Sequence, residues 1–217
     1  MNLIPVIDLK EGYVVHAQRG LRESYQPLQP TADIFFVIEK FLALHDFKKL
    51  YIADLNAIMK QGNNFALIEK ILQHYPQIEF WLDCGQPIQL TANNYLTVLA
   101  SEWCSVETLK QIEHYVLSLD FSAKDEPLGD IRLFNDNSLW SKQVIIMTLA
   151  RVGSDLGVDI EKLQNYRSKY PNTEFVASGG VRHLADLKQL QTLGISHVLM
   201  ASALHSGTIN KSNIDCL

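Results

Sequence analysis

Two aspartates close stretches that are otherwise apolar. "IPVIDLKEGYVVHA" (4–17) runs through apolar residues into Asp8, and "HYVLSLD" (114–120) runs the same way into Asp120. A carboxyl that ends an apolar strand is either a capping group or a proton-transfer group held at a rim. A matched pair suits acid and base work, because unlike environments can keep one carboxyl protonated and the other ionised. Small residues suggest a second kind of chemistry. "VASGGVRHLADL" places Gly179 and Gly180 just before a helical pattern, and "LMASALHSG" places Ala201 and Ser202 likewise. Small residues at strand ends let backbone N–H groups approach a phosphate closely. Asp83-Cys84-Gly85 and Ala100-Ser101-Glu102 are weaker relatives of these two stretches, which makes Gly85 and Ser101 candidates for a second phosphate site. Asp83 and Glu102 count against that site, since a carboxylate repels a bound phosphate unless it is protonated or turned away. Asp54, in "YIADLNAIMKQGNN", closes a further strand and is followed by Asn56. For these two, a loop held by Asx turns and a part in substrate binding both stay open.

The elements that must carry these residues are short apolar runs alternating with helical patterns. Eight runs read as strands: 3–8, 49–55, 78–83, 96–101, 114–120, 143–148, 173–178 and 196–202. Their interiors are largely apolar, as expected for parallel strands covered on both faces. Between them, "ADIFFVIEKFLALHDF", "NFALIEKILQHY", "DIEKLQNYRSKY" and "RHLADLKQLQTLG" show i, i+3, i+4 spacing. Eight such units predict an α/β fold, a closed (β/α)₈ TIM barrel, with an open doubly wound sheet as the competing arrangement. Residues 121–142 and the short tail after the last strand predict short or missing fifth and eighth helices, and "PIQLTANN" a stunted third. Similar endings on strands one and five, three and seven, and four and eight read as two similar half-barrels.

The chain has 217 residues, 47% hydrophobic and 20% charged, with net charge −5. This fits one domain over 1–217 with a full core. Lys and Arg are scattered, so neither nucleic acid nor a membrane surface is an expected partner, and a phosphorylated small molecule is. Three cysteines without C-x-x-C, and dispersed histidines, imply no metal site and no disulfide framework. No run approaches the ~18 apolar residues of a membrane span, and the N-terminus lacks a signal-peptide core, so a cytoplasmic protein is expected. Nothing in the chain sets an oligomeric state, and no cofactor is implied.

"IPVIDLKEGYVVHA", "YIADLNAI" with the following "GNN", "LSLD", "VGSDLG", "ASGGVRHLADL" and the "ALHSG" ending together resemble the histidine-biosynthesis barrel family. That family contains a phosphoribosylformimino-aminoimidazole carboxamide ribotide isomerase and the synthase subunit of imidazole-glycerol-phosphate synthase. "HAQRGLRESYQPL" and "IADLNAIMKQGNNF" look like an isomerase-related branch found in methanogens and methylotrophs. The resemblance implies an aldose–ketose isomerase of the Amadori type. In it Asp8 is the base, Asp120 the acid that helps open the sugar ring, and Gly179, Gly180, Ala201 and Ser202 hold one phosphate. The alternative is a catalytically silent paralogue that binds a phosphorylated metabolite, or serves as a partner subunit in one-carbon cofactor metabolism.

This chain departs from the family pattern at several points. The strand-six Thr and the Asp-Gly-Thr that follows it fall on Met147 and "VGS", the strand-three triple glycine is "DCG", and the Arg after the first turn falls on His16. Thr148, one residue on, would face the other side of a strand. With these anchors changed, the chain is expected to support little or no growth of an isomerase-deficient histidine auxotroph. Robust complementation at normal expression would show that the departures are tolerated.

Overall fold

A computed structural model describes residues 1–154 and 156–217. Eight parallel strands form the barrel: β1 (Asn2–Lys10), β4 (Lys49–Asp54), β5 (Glu79–Asp83), β6 (Tyr95–Ala100), β7 (Tyr115–Phe121), β8 (Gln143–Thr148), β9 (Glu174–Ser178) and β10 (His197–Met200). They pair in chain order, and β10 pairs back onto β1 through Asn2↔His197 to Pro5↔Met200. That last ladder closes the barrel and excludes the open doubly wound sheet. Two further strands, β2 (Tyr13–His16) and β3 (Gln26–Pro27), pair antiparallel onto the end of β1. The predicted β10 run stops two residues early, because Ala201 (φ −112°, ψ −83°) leaves the strand and a single helical turn begins.

Strand alternation sorts the core into two clusters. Leu3, Ile7 and Leu9 of β1 pack outward under the helices, whereas Ile4 belongs to the cluster that fills the barrel with Tyr51, Trp81, Val98, Val116, Ile145, Val176 and Leu199. The period of two fixes what stands above that filling. Asp8 continues the inward column of Ile4 and Val6, Asp83 that of Trp81, Asp120 that of Val116 and Ser118, and Ser178 that of Val176. Three carboxyls therefore end three inward columns at the C-terminal rim.

The outer layer is regular in four places: α1 (Ile34–Leu44), α3 (Phe65–His74), α6 (Ile160–Lys169) and α7 (Leu184–Thr192). In α1, the Asp33 side chain accepts from Phe36 N at 2.9 Å, and Ile34, Val37, Ile38 and Phe41 bury one stripe. Elsewhere the helices shrink to single turns, α2 (Leu55–Ile58), α4 (Val106–Leu109), α5 (Arg132–Asn135), α8 (Ser202–His205) and α9 (Lys211–Ile214). The short fifth and eighth helices agree with the sequence reading; the short fourth, α4, was not foreseen. After β5 the chain makes no helix at all. Glu69 of α3 accepts from Thr91 N and Ala92 N, and the Asn94 amide donates to the carbonyls of Leu72, Tyr75 and Ile78 at 3.2, 3.1 and 3.0 Å. The loop is thus fastened to the C-terminal end of α3, whose last carbonyls lack helical partners.

Replacing Asn94 with Ala takes the amide donor from those carbonyls, of which Tyr75 O alone keeps the Ile78 N–H, at a cost of about 1–3 kcal/mol. The urea midpoint should fall with the m-value unchanged. A loss below about 0.5 kcal/mol would show that the loop holds itself by packing.

Candidate active site

A central cleft of about 840 Å³, including its open mouth, lies over the C-terminal rim of the barrel. That is the size of a small-molecule site. Its wall includes Asp8, Arg22, Tyr25, Tyr51, Asp83, Met147, Val152, Gly153, Ser154, Ser178, Gly179, Gly180, Ala201 and Ser202. Asp8 and the β9/β10 residues are therefore brought together. The Asp8 carboxyl receives no hydrogen bond among the described residues. Burial, and then the neighbouring Asp83 carboxylate, raise it to about 7 against a smaller lowering by Arg22.

Asp120 lies deeper, 4% exposed, and is not part of the cleft wall. Its Oδ1 accepts from Ser118 Oγ at 2.6 Å and its Oδ2 from Glu102 N at 3.3 Å. Burial is the main reason that it too is raised to about 7; the Ser118 hydroxyl opposes this and Asp83 adds to it. Asp83 thus couples electrostatically to both aspartates. Its own Oδ1 accepts from Gly85 N at 3.1 Å and its Oδ2 from Tyr51 Oη at 2.9 Å.

At the opposite end, the N–H groups of Gly179, Gly180, Ala201 and Ser202 make no hydrogen bond among the described residues. Both glycines have φ near +85° (87° and 83°), and a Cβ at Gly180 would stand 2.1 Å from Gly157 O, so only glycine fits there. Gly85 and Ser101 do not line this cleft. Gly85 opens onto a separate recess with Lys60, Asn63 and Trp103, while Ser101 is fully buried and its Oγ accepts from Asp120 N at 2.9 Å.

Asp54 and Asn56 also stand outside the cleft wall. Asp54, fully buried, accepts from Asn64 N, Asn64 Nδ2 and Ala57 N, while Asn56 Oδ1 accepts from Glu11 N and Asn64 Nδ2. These bonds tie the first two loops together. Of the two readings left open for them, the geometry is that of the loop clasp. Thr148 faces outward, as strand alternation requires, where its Oγ1 accepts from Lys162 Nζ at 3.2 Å. Position 155 of "VGSDLG" lies outside the described residues.

Arg22 was not visible as a site residue. It sits in the β2–β3 connection, within "HAQRGLRESYQPL" but at none of the positions read as chemical, and reaches across the mouth to grip Glu102 with both guanidinium arms (3.2 and 2.8 Å). The connection is held down by Arg19 N donating to Val152 O at 2.7 Å, and by Gly153, where a Cβ would meet Ala17 O at 1.9 Å. No sequence signal could have paired residue 22 with residue 102.

The family described as histidine biosynthesis protein matches residues 2–114 and 135–210. The chain belongs to that family. An uncharacterized protein of Methanocaldococcus jannaschii is 31% identical over 99% of this chain and 97% of its own length. The 1-(5-phosphoribosyl)-5-((5-phosphoribosylamino)methylideneamino) imidazole-4-carboxamide isomerases of Legionella pneumophila strain Paris and of Campylobacter jejuni are each 27% identical, over the whole of this chain and 100% and 98% of their own lengths. The family match leaves out residues 115–134, the segment that contains β7 and Asp120. Among the described residues no group of His, Cys, Asp or Glu is arranged to hold a metal ion, and no helix is long and apolar enough to cross a membrane.

A carboxyl that titrates near 7 when folded and near 3.9 when unfolded binds its proton more tightly in the fold. Stability therefore falls as pH rises from about 4 to about 7, and the loss is complete above that. Asp8→Asn, which cannot ionise, is expected to raise Tm at pH 8 by at least a few degrees and to leave it nearly unchanged at pH 4. An equal gain at both pH values would show that ionisation is not the cause.

Proposed function

We propose that the chain is an isomerase of the aldose–ketose type, acting on a phosphorylated sugar derivative through Asp8 as base and Asp120 as acid. The observation that carries this reading is the Asp8 carboxyl: on the cleft wall, without a hydrogen bond among the described residues, raised to about 7, and on β1, the strand paired with β10, whose end shares with that of β9 the N–H groups of Gly179, Gly180, Ala201 and Ser202 that meet no acceptor among the described residues. A general base works best when its pKa lies near the working pH. The N–H groups anchor the phosphate, which holds the sugar in one orientation over Asp8. The acid protonates the ring oxygen so that the ring opens, and Asp8 then takes the proton from the carbon next to the unsaturated centre so formed. That proton is delivered to the adjacent carbon, and the hydroxyl proton released as the ketone forms restores the acid. Atoms and electrons balance within the substrate, so the rearrangement needs no oxidant. Family membership and the full-length likeness to the named isomerases support the reaction type.

A second reading has observations of its own. Asp120 is buried, already bonded to Ser118 and Glu102, off the cleft wall and in a segment that the family match leaves out. In that reading the chain binds a phosphorylated metabolite without turning it over, on its own or as a partner subunit.

Exchange of substrate carbon-bound hydrogen in D₂O, followed by NMR over a panel of aldose and ketose phosphates, separates the two. The isomerase reading expects deuterium incorporation by the parent protein, and a loss of about 10²–10⁴-fold in rate for Asp8→Asn and for Asp120→Asn. The rate should peak near pH 7, where one carboxyl is ionised while the other still holds its proton; the apparent values belong to the coupled pair. Exchange that survives Asp120→Asn unchanged would remove the acid role. Binding without exchange across the panel would favour the second reading.

A further inference from the structure

We infer that the cleft takes a substrate with a single phosphate, held at the β9–β10 end, and a far end that carries no anion. The inference rests on reading the Gly179, Gly180, Ala201 and Ser202 end as the phosphate anchor. Its evidence lies at the other end.

A second phosphate would need donors there, and the backbone offers the equivalents of the first set at the ends of β5 and β6. Three N–H groups there are already used. Gly85 N donates to Asp83 Oδ1 at 3.1 Å, Ser101 N to Ser118 O at 2.8 Å, and Glu102 N to Asp120 Oδ2 at 3.3 Å. The Ser101 hydroxyl accepts from Asp120 N at 2.9 Å. Two of the chain's own carboxylates thus take the N–H groups that a phosphate would take, and displacing them would set a dianion beside the charges it displaced. Gly85 itself is retained for backbone reasons: its φ is +70°, and a Cβ would come within 3.1 Å of Ile58 Cα.

Arg22 does not reverse this. It is the cation of the cleft wall, but its guanidinium is matched by both oxygens of Glu102, and only 20% of its side chain is exposed. Withdrawing it to hold a phosphate would leave Glu102 unpaired near Asp83 and Asp120. What the cleft wall presents to a ligand away from the anchor is acceptor atoms, the Asp83 carboxyl and, nearer the anchor, that of Asp8, with the Tyr51 hydroxyl already committed to Asp83 at 2.9 Å. Acceptors call for donors, so the far end of the substrate carries hydroxyls or an amine. This departs from a substrate with a phosphate at each end, and it follows from two side chains, Asp83 and Glu102, that stand where an anion would need neutral or positive surroundings.

The test is calorimetric titration of the full chain at pH 8 and fixed ionic strength with inorganic phosphate, ribulose 5-phosphate and ribulose 1,5-bisphosphate. The 5-phosphate is expected to bind at least about tenfold more tightly than the bisphosphate, because like charges set against each other select against the wrong partner. Asp83→Asn should narrow that ratio, and Glu102→Gln provides the same measurement if the first variant does not fold. Ser202→Asp, which puts a carboxylate at the proposed anchor, should weaken the 5-phosphate at least tenfold. A bisphosphate that binds as tightly as the 5-phosphate overturns the inference and leaves the anchor standing. A 5-phosphate that binds no better than inorganic phosphate also overturns it. Unchanged 5-phosphate binding by Ser202→Asp would show that the anchor reading, and the inference with it, is wrong.

Discussion

Three carboxyl groups share the top of the barrel interior, and the arrangement around the cleft follows from how their charge is managed. Asp8, Asp83 and Asp120 end alternate inward columns, each raised chiefly because burial disfavours its ionised form. Bringing three such groups together is unfavourable unless donors or cations meet them. The chain supplies Tyr51 Oη and Gly85 N to Asp83, and Ser118 Oγ and Glu102 N to Asp120, while Arg22 stands near Asp8 and Asp83. Asp8 is left without a donor among the described residues. Its energetic cost is therefore highest when no ligand is present and the pH is above 7, which is the condition under which a base has most to gain from taking a proton.

The segment that carries Arg22 is positioned by backbone contacts that have no charge at all. Arg19 N meets Val152 O, and Gly153 lets the loop after β8 pass directly under Ala17 O. The first and sixth barrel loops are thereby seated on each other, and Arg22 is delivered to Glu102 from across the mouth. The ion pair is partly shielded, with 20% and 23% of the two side chains exposed. It contributes more than a fully solvated pair would, and it costs some desolvation. The Asp54, Asn56 and Asn64 clasp does the corresponding task for the turn after β1, accepting from the N–H groups of Glu11 and Gly12. Polar residues at strand ends thus divide into those that hold loops and those that face the cleft.

That division explains how much was legible in the sequence. The barrel was, because a parallel strand covered on both faces must be apolar along its whole length, and eight such runs with helices between them leave few arrangements. The inward position of Asp8 and Asp120 and the outward position of Thr148 follow from the same period of two. What the period does not fix is depth. Asp8 reaches the cleft wall and Asp120 does not, since Glu102 N and Ser118 Oγ hold the latter below it, and neither contact is encoded by spacing. Asp54 looks like Asp8 in sequence, and only its three hydrogen bonds to Asn64 and Ala57 mark it as a clasp. The fourth helix shortened without a local signal, because "VETL" satisfies helix propensity and its Ser105 cap yet extends for one turn only.

The two halves of the barrel show what became of a shared plan. At the ends of β9 and β10 the strand termini are small and their N–H groups meet no acceptor among the described residues; at the ends of β5 and β6 Gly85 N bonds to Asp83 and Glu102 N to Asp120. A carboxylate is the nearest internal equivalent of a bound anion, so acquiring Asp83 satisfies the donors without a ligand and stabilises that half as a rigid wall. The same substitution brings a negative charge within range of Asp8 and Asp120 and raises both. Satisfying the Gly85 donor and raising the two neighbouring carboxyls are thus two consequences of one residue, Asp83.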